Sequence, residues 1–154
     1  MKEKIRKIIS VCVMICLVVG LVQIDSKNIN AEEKYVSGEY TYKLGEDDYG
    51  NKVATISGYS GSDTNLTIPE TIDGYDVVAI GYAAFQSNKT LVSVTIKNNI
   101  RIIAEQAFRD IKKLNHVELP EKLTSIDSAA FAGCTSLKQI KIPASLEETA
   151  MAYD

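Results

Sequence analysis

The chain of 154 residues has a single histidine, His116, and no tryptophan. A hydrolytic triad needs a histidine beside a nucleophile and a third group to orient it. Zinc sites draw on several histidines and cysteines. Cysteine is also scarce, with Cys12, Cys16 and Cys134 only. The glycines form no phosphate-cradling loop, and Glu46, Asp47 and Asp48 lack the calcium-loop spacing D-x-[DN]-x-[DN]-G. A solvated turn is the better reading of those three acids. The expectation is therefore no catalytic residue, no metal and no cofactor. Proline is rare too, and all three prolines follow an apolar residue: Ile68-Pro69, Leu119-Pro120 and Ile142-Pro143.

Two of the three cysteines lie in an apolar run from Ile8 to Ile24, preceded by the basic start Met-Lys-Glu-Lys-Ile-Arg-Lys. With Asn28-Ile29-Asn30-Ala31 after it, the segment reads as a signal peptide over residues 1–31. The rival is an uncleaved anchor through residues 8–24, since 17 residues at about 1.5 Å each just reach across a thin bilayer core. A lipoprotein cysteine does not fit, because Val11 and Ile15 stand where a small residue is wanted. Cutting after Ala31 removes five of 17 cationic and two of 20 acidic side chains, leaving a net charge of −6. That sign argues against nucleic acid and anionic membrane as partners. It also leaves Cys134 alone, so no internal disulfide framework is expected.

What the chain does have is a period. Phe85, Phe108 and Phe131 lie 23 apart, as do Ile80, Ile103 and Ile126; Leu91, Leu114 and Leu137; and Val94, Val117 and Ile140. A fixed period of this size marks a solenoid, each repeat one turn of a coil. Residues 91–99 read L-x-x-L-x-L-x-x-N, the leucine-rich repeat pattern. Alternation along a strand sends Val94 and Ile96 to one face and Ser93, Thr95 and Lys97 to the other. Cys134 falls in the column of Asn88 and Ile111, which predicts an interior position.

The leucine-rich strand, the return path I-x-x-x-A-F and the 23-residue spacing together resemble the BspA-like bacterial leucine-rich repeat family. The resemblance covers about residues 53–146. It implies a secreted or surface-displayed binding protein and names no partner. The fold class is thus expected to be a β-rich leucine-rich repeat solenoid, a short right-handed coil with an N-terminal β-hairpin cap. The domains would be the signal peptide (1–31), the hairpin cap and linker (32–66), the solenoid (67–146) and a C-terminal cap or truncated repeat (147–154).

Residues 40–56 alternate around a turn cluster and read as the hairpin. The interval from Ile68 to Ile96 is five residues longer than the repeat, which predicts a protruding loop around residues 71–76 with Tyr75 at its tip. Tyr75 is a candidate for binding there, or for packing on the hairpin. After Pro143 the repeat decays, and Ser145-x-x-Glu148 could open a capping helix.

The solvent-facing side of the leucine-rich strands is the best candidate surface. The register stacks Ser93 on His116 on Gln139, and Thr95 on Glu118 on Lys141, with Glu118 and Lys141 as cross-strand neighbours of opposite charge. Ser93, His116 and Glu118 would lie on an open face without an oxyanion hole, so catalysis is not expected. The reading is non-enzymatic binding or adhesion to a protein or glycan at the cell surface, in the medium or on the cell. The alternative is a structural or accessory solenoid module that self-associates end to end or forms a truncated part of a larger surface protein. A membrane would be a partner only through the N-terminal segment, if uncleaved.

Overall fold

The structure, a computed structural model, describes residues 33–146, which lie within the compact unit Glu33–Asp154. The expected signal peptide or anchor and the segment 147–154 lie outside the described residues. Ten strands follow in order: β1 (Lys34–Ser37), β2 (Tyr40–Glu46), β3 (Lys52–Tyr59), β4 (Asn65–Thr67), β5 (Thr71–Ile72), β6 (Tyr75–Ile80), β7 (Ser93–Thr95), β8 (Ile102–Ile103), β9 (His116–Glu118) and β10 (Ser125–Ile126).

Two sheets wrap the coil. The leucine-rich strands form one, with β4, β7 and β9 parallel. The isoleucine column forms the other, with β3, β6, β8 and β10 parallel; Ile80 pairs with Ile103 and Ile103 with Ile126. The sequence reading treated this second path as a patterned return, and the structure makes it a sheet. The hairpin expected over 40–56 is β2 and β3, with β1 added antiparallel on its outer edge. These strands continue the second sheet beyond β6. A register shift between Thr41 and Tyr42 leaves Ser57 unpaired as a bulge residue.

The third side of each coil carries Phe and is built from turns. Its amides alternate in what they bind. Ala83, Phe85 and Ser87 donate to the carbonyls of Glu105, Ala107 and Arg109 on the next coil, at 3.2, 2.8 and 2.8 Å. Ala84 and Gln86 donate within the turn to Gly81 and Ala83. The second coil repeats this on the third, where Gln106, Phe108 and Asp110 donate to Ser128, Ala130 and Ala132. Each chain of amides is thereby satisfied without a regular strand. The geometry requires left-handed backbone at two positions per coil: Ala83, Gln106 and Ala129, and Ser87, Asp110 and Gly133. Only the last is glycine. A Cβ at Gly133 would collide with the Asp110 carboxylate.

Packing follows the columns. Leu91, Ile100, Ile103, Phe108, Ile111, Leu114 and Leu123 are fully buried. The three Phe rings stack with centroids 4.9 and 5.2 Å apart and planes within 9° of parallel. That spacing matches the roughly 4.8 Å between parallel strands, so the ring stack and the ladders share one repeat distance. The stack runs on through Tyr59, 5.3 Å from Phe85, and Tyr40, 5.0 Å from Tyr59. Cys134 is buried as its column requires, and its thiol donates to the Phe108 carbonyl at 3.1 Å.

A correction concerns the first coil. Its extra residues do not protrude as a loop. They form a tight hairpin in which Ile72 pairs with Tyr75 and the turn is Asp73-Gly74, both at positive φ. Asp73 is held down by Ser37 Oγ and Tyr42 Oη, which donate to its carboxylate at 2.7 and 2.8 Å. Tyr75 is the first residue of β6 and packs half-buried against the core.

Candidate binding face

Alternation in β7 and β9 buries Val94 and Val117 and turns their neighbours outward. Ser93 lies opposite His116 and Thr95 opposite Glu118, in the expected register. His116 and Glu118 are exposed, while Ser93 and Thr95 are half-covered. The face also takes in β4, whose Asn65 and Thr67 pair with Ser93 and Thr95. Ser93 Oγ donates to Asn65 Oδ1 at 2.7 Å. Asn65 escaped the sequence reading because it lies 28 residues before Ser93, not 23. The signal that could have found it is Leu66-Thr67-Ile68-Pro69, aligned on its apolar residues.

The third row differs from expectation. Residues 139–141 form no strand, and among the described residues no backbone hydrogen bond joins them to β9. Gln139 and Lys141 are exposed, and neither lies in a strand. Ile140, in the column of Val94 and Val117, is only half-buried. The third coil is held on its turn side by the Asp110 and Phe108 amides. Beside β9 lies a cleft of about 410 Å³ lined by His116, Val117, Glu118, Glu121, Lys141 and Pro143. Glu118 and Lys141 face this cleft together but form no ion pair among the described residues. The structure thus brings Ser93, Thr95, His116 and Glu118 side by side and places Lys141 in the lining of the same cleft. Gln139 does not line the cleft, and Tyr75 belongs to the other sheet.

The face offers imidazole, carboxylate, ammonium and hydroxyl groups on an open surface. Among the described residues no group of three His, Cys, Asp or Glu could hold a metal ion. Asp47 in the β2–β3 turn accepts the N–H groups of Tyr49 and Asn51 and the Asn51 amide. Those bonds hold its carboxyl below the usual range and fix a turn. No described helix is long and apolar enough to cross a membrane.

The BspA type leucine rich repeat region, in six copies, matches residues 51–152. A leucine-rich repeat protein from Bacteroides capillosus is 33% identical, with a TM-score of 0.65 over 75% of this chain and 86% of that one. The T. pallidum leucine rich repeat protein is 30% identical, with a TM-score of 0.62 over 72% of this chain and 50% of that one. A leucine rich cell surface protein from Faecalibacterium prausnitzii is 28% identical, with a TM-score of 0.60 over 73% of this chain and 28% of that one. The chain thus spans half of the T. pallidum protein and less than a third of the Faecalibacterium one. No curated protein matches it. Repeat, two-sheet coil and relatives agree, and the chain belongs to the BspA-type leucine-rich repeat family.

Proposed function

We propose that this chain is a non-enzymatic binding protein displayed at the cell surface or secreted, and that it engages a protein or glycan partner through the outer face of β4, β7 and β9. The observation that carries this is the open cleft beside β9, where His116, Glu118 and Lys141 line one cavity at the edge of an uncovered parallel sheet. Solenoids commonly bind along such a face. The Faecalibacterium relative, described as a cell surface protein, supports the location.

Size limits the affinity. Three strands of three residues give a strip of about 150 Å², against about 800 Å² per partner in a stable complex. Binding through this face alone is weak and gains from multivalent display. The test is surface-plasmon binding of arrayed chain to matrix proteins and cell-wall glycans. The double variant Glu118→Lys with Lys141→Glu keeps net charge and reverses the polarity of the cleft. Loss of binding with an unchanged thermal melt supports the face. Equal binding by the double variant, with loss on Tyr75→Ala, moves the site to the β5–β6 hairpin.

A second reading, end-to-end self-association, has its own observation. On the last described coil Phe131, Leu137 and Ile140 are only partly buried and Ile142 is 43% exposed. A mass in sedimentation that rises with concentration, and falls back on Ile142→Lys, would favour it.

A further inference from the structure

At the end of the second sheet where β3, β6 and β8 begin, a groove of about 460 Å³ opens. It shares no residue with the cleft beside β9. Its apolar part is Val53, Val78 and Ile102, with the Tyr49 ring beside them. Ile102 is 42% exposed and Tyr49 91% exposed. The polar part is anionic, with Glu46, Asp47, Asp48 and Asp76 in the lining and Arg101 as its single cation.

The carboxylates are not equivalent. Glu46 is bound to Lys52 at 2.6 Å, and Asp47 is spent on the turn amides. Asp48 and Asp76 form no ion pair among the described residues. Arg101 donates through Nη1 to the Lys122 carbonyl at 3.3 Å and keeps its charge in the lining. The groove therefore joins the exposed Ile102 and half-buried Val78, an exposed aromatic ring, and four carboxylates against one guanidinium. That combination suits a side chain with an alkyl stem and a cationic head.

We infer that this groove binds a lysine- or arginine-bearing segment of a partner polypeptide. The stem lies on Ile102 and Val78, the charged head meets Asp48 and Asp76, and the Tyr49 ring covers the stem or faces the cation. The lining carries four carboxylates against one guanidinium, and that balance favours a cationic head over a neutral sugar. The inference does not depend on the strand face and can hold if that reading fails.

The test uses the full chain and a short fluorescein-labelled peptide alternating lysine and alanine, read by fluorescence anisotropy at low and high salt. The glutamate–alanine counterpart is the control peptide. The lysine peptide should bind at low salt and weaken at high salt. Tyr49→Ala and Asp76→Asn should each weaken it about three- to fivefold. Both sites are exposed, so unchanged far-ultraviolet dichroism should accompany the loss. Glu105→Gln makes the same charge change at an exposed site outside the groove and should leave binding within error. Equal weakening by Glu105→Gln would show general charge attraction and overturn the groove. So would absence of binding, or a Tyr49-dependent affinity for a neutral tetrasaccharide that the lysine peptide does not displace.

Discussion

Between Lys34 and Asp73 the strands are tied together by phenols and carboxylates. Tyr42 and Ser37 both bind Asp73. Tyr59 Oη donates to Asp63 at 2.7 Å with Glu39 at 3.2 Å. From Gly81 onward the coils bury apolar side chains and one thiol, and hold together through backbone ladders, stacked rings and hydroxyl bonds such as Thr124 to the Arg101 carbonyl and Ser136 to that of Lys112. The repeats offer each coil a similar neighbour. Among the described residues the N-terminal strands have no such neighbour on their outer side, and phenol–carboxylate bonds add to their ladders. One region should respond to changes of volume, and the other to changes of protonation.

The largest effect should come from volume. Phe108 is fully buried between two rings, and Phe108→Ala should cost about 3–5 kcal/mol. Among the described residues Phe131 has a ring on one side only, and it is half-buried, so Phe131→Ala should cost about half as much. Urea denaturation of both variants measures the pair. Equal costs would mean the last coil is as well packed as the middle one, and an unchanged midpoint for Phe108→Ala would undo the register.

Protonation should act on the other region. Burial pushes the phenols of Tyr40 and Tyr42 up to about 12, with Asp73 reinforcing the shift for Tyr42. Tyr59 is raised further, by burial first and then by Asp63. A phenol raised in the folded state gives stability that is complete below its unfolded pKa of about 10 and lost as pH rises through the folded value. Asp73 has the opposite sign. Ser37 and Tyr42 hold its carboxyl below the usual range, so its contribution is present above an unfolded pKa of about 3.9 and lost as pH falls. Near-ultraviolet dichroism of tyrosine should therefore fade between about pH 10 and 12 before the far-ultraviolet signal of the coils. Coincident loss of both signals would show one cooperative unit and dissolve the contrast.

A chemical probe sharpens it at lower cost to the fold. Cys134 is buried under the third coil, and burial raises its thiol pKa. In the chain cut after Ala31, where Cys134 is the one thiol, a maleimide should react only as fast as the coil opens, and stoichiometrically after denaturation. Rapid labelling of that native protein would place the thiol outside the column.

How much of this was legible in the sequence depended on whether the period governed the residue. The coil, the Val94–Val117 column, the Ser93–His116 and Thr95–Glu118 rows and the buried Cys134 follow from 23-residue spacing and alternation. The second sheet was half-visible, because its strands past β6 are two residues long and leave little alternation to read. Left-handed backbone at Gln106 and Asp110 was not legible, since the residues there are ordinary and only the ladder to the next coil demands the geometry. The Asp73–Tyr42 tie joins residues 31 apart with no repeat to align them. Asn65 was hidden by the longer first interval.

The smallest predicted effect concerns the one row that broke. Spacing alone makes Glu118 and Lys141 cross-strand neighbours, and such a pair contributes about 0.2–1 kcal/mol. In the structure both line one cleft, exposed and without an ion pair among the described residues. Exposed side chains without partners should change stability by no more than about 0.5 kcal/mol when replaced. Glu118→Gln, Lys141→Gln and the double variant form a cycle whose coupling should fall within about 0.3 kcal/mol of zero. Raising the salt should leave it there, because there is no contact to screen. A favourable coupling near 1 kcal/mol that vanishes in high salt would mean residues 139–141 close onto β9 in solution. The third coil would then be as regular as the second, the cleft would be filled by the chain itself, and any partner would meet a continuous four-strand face.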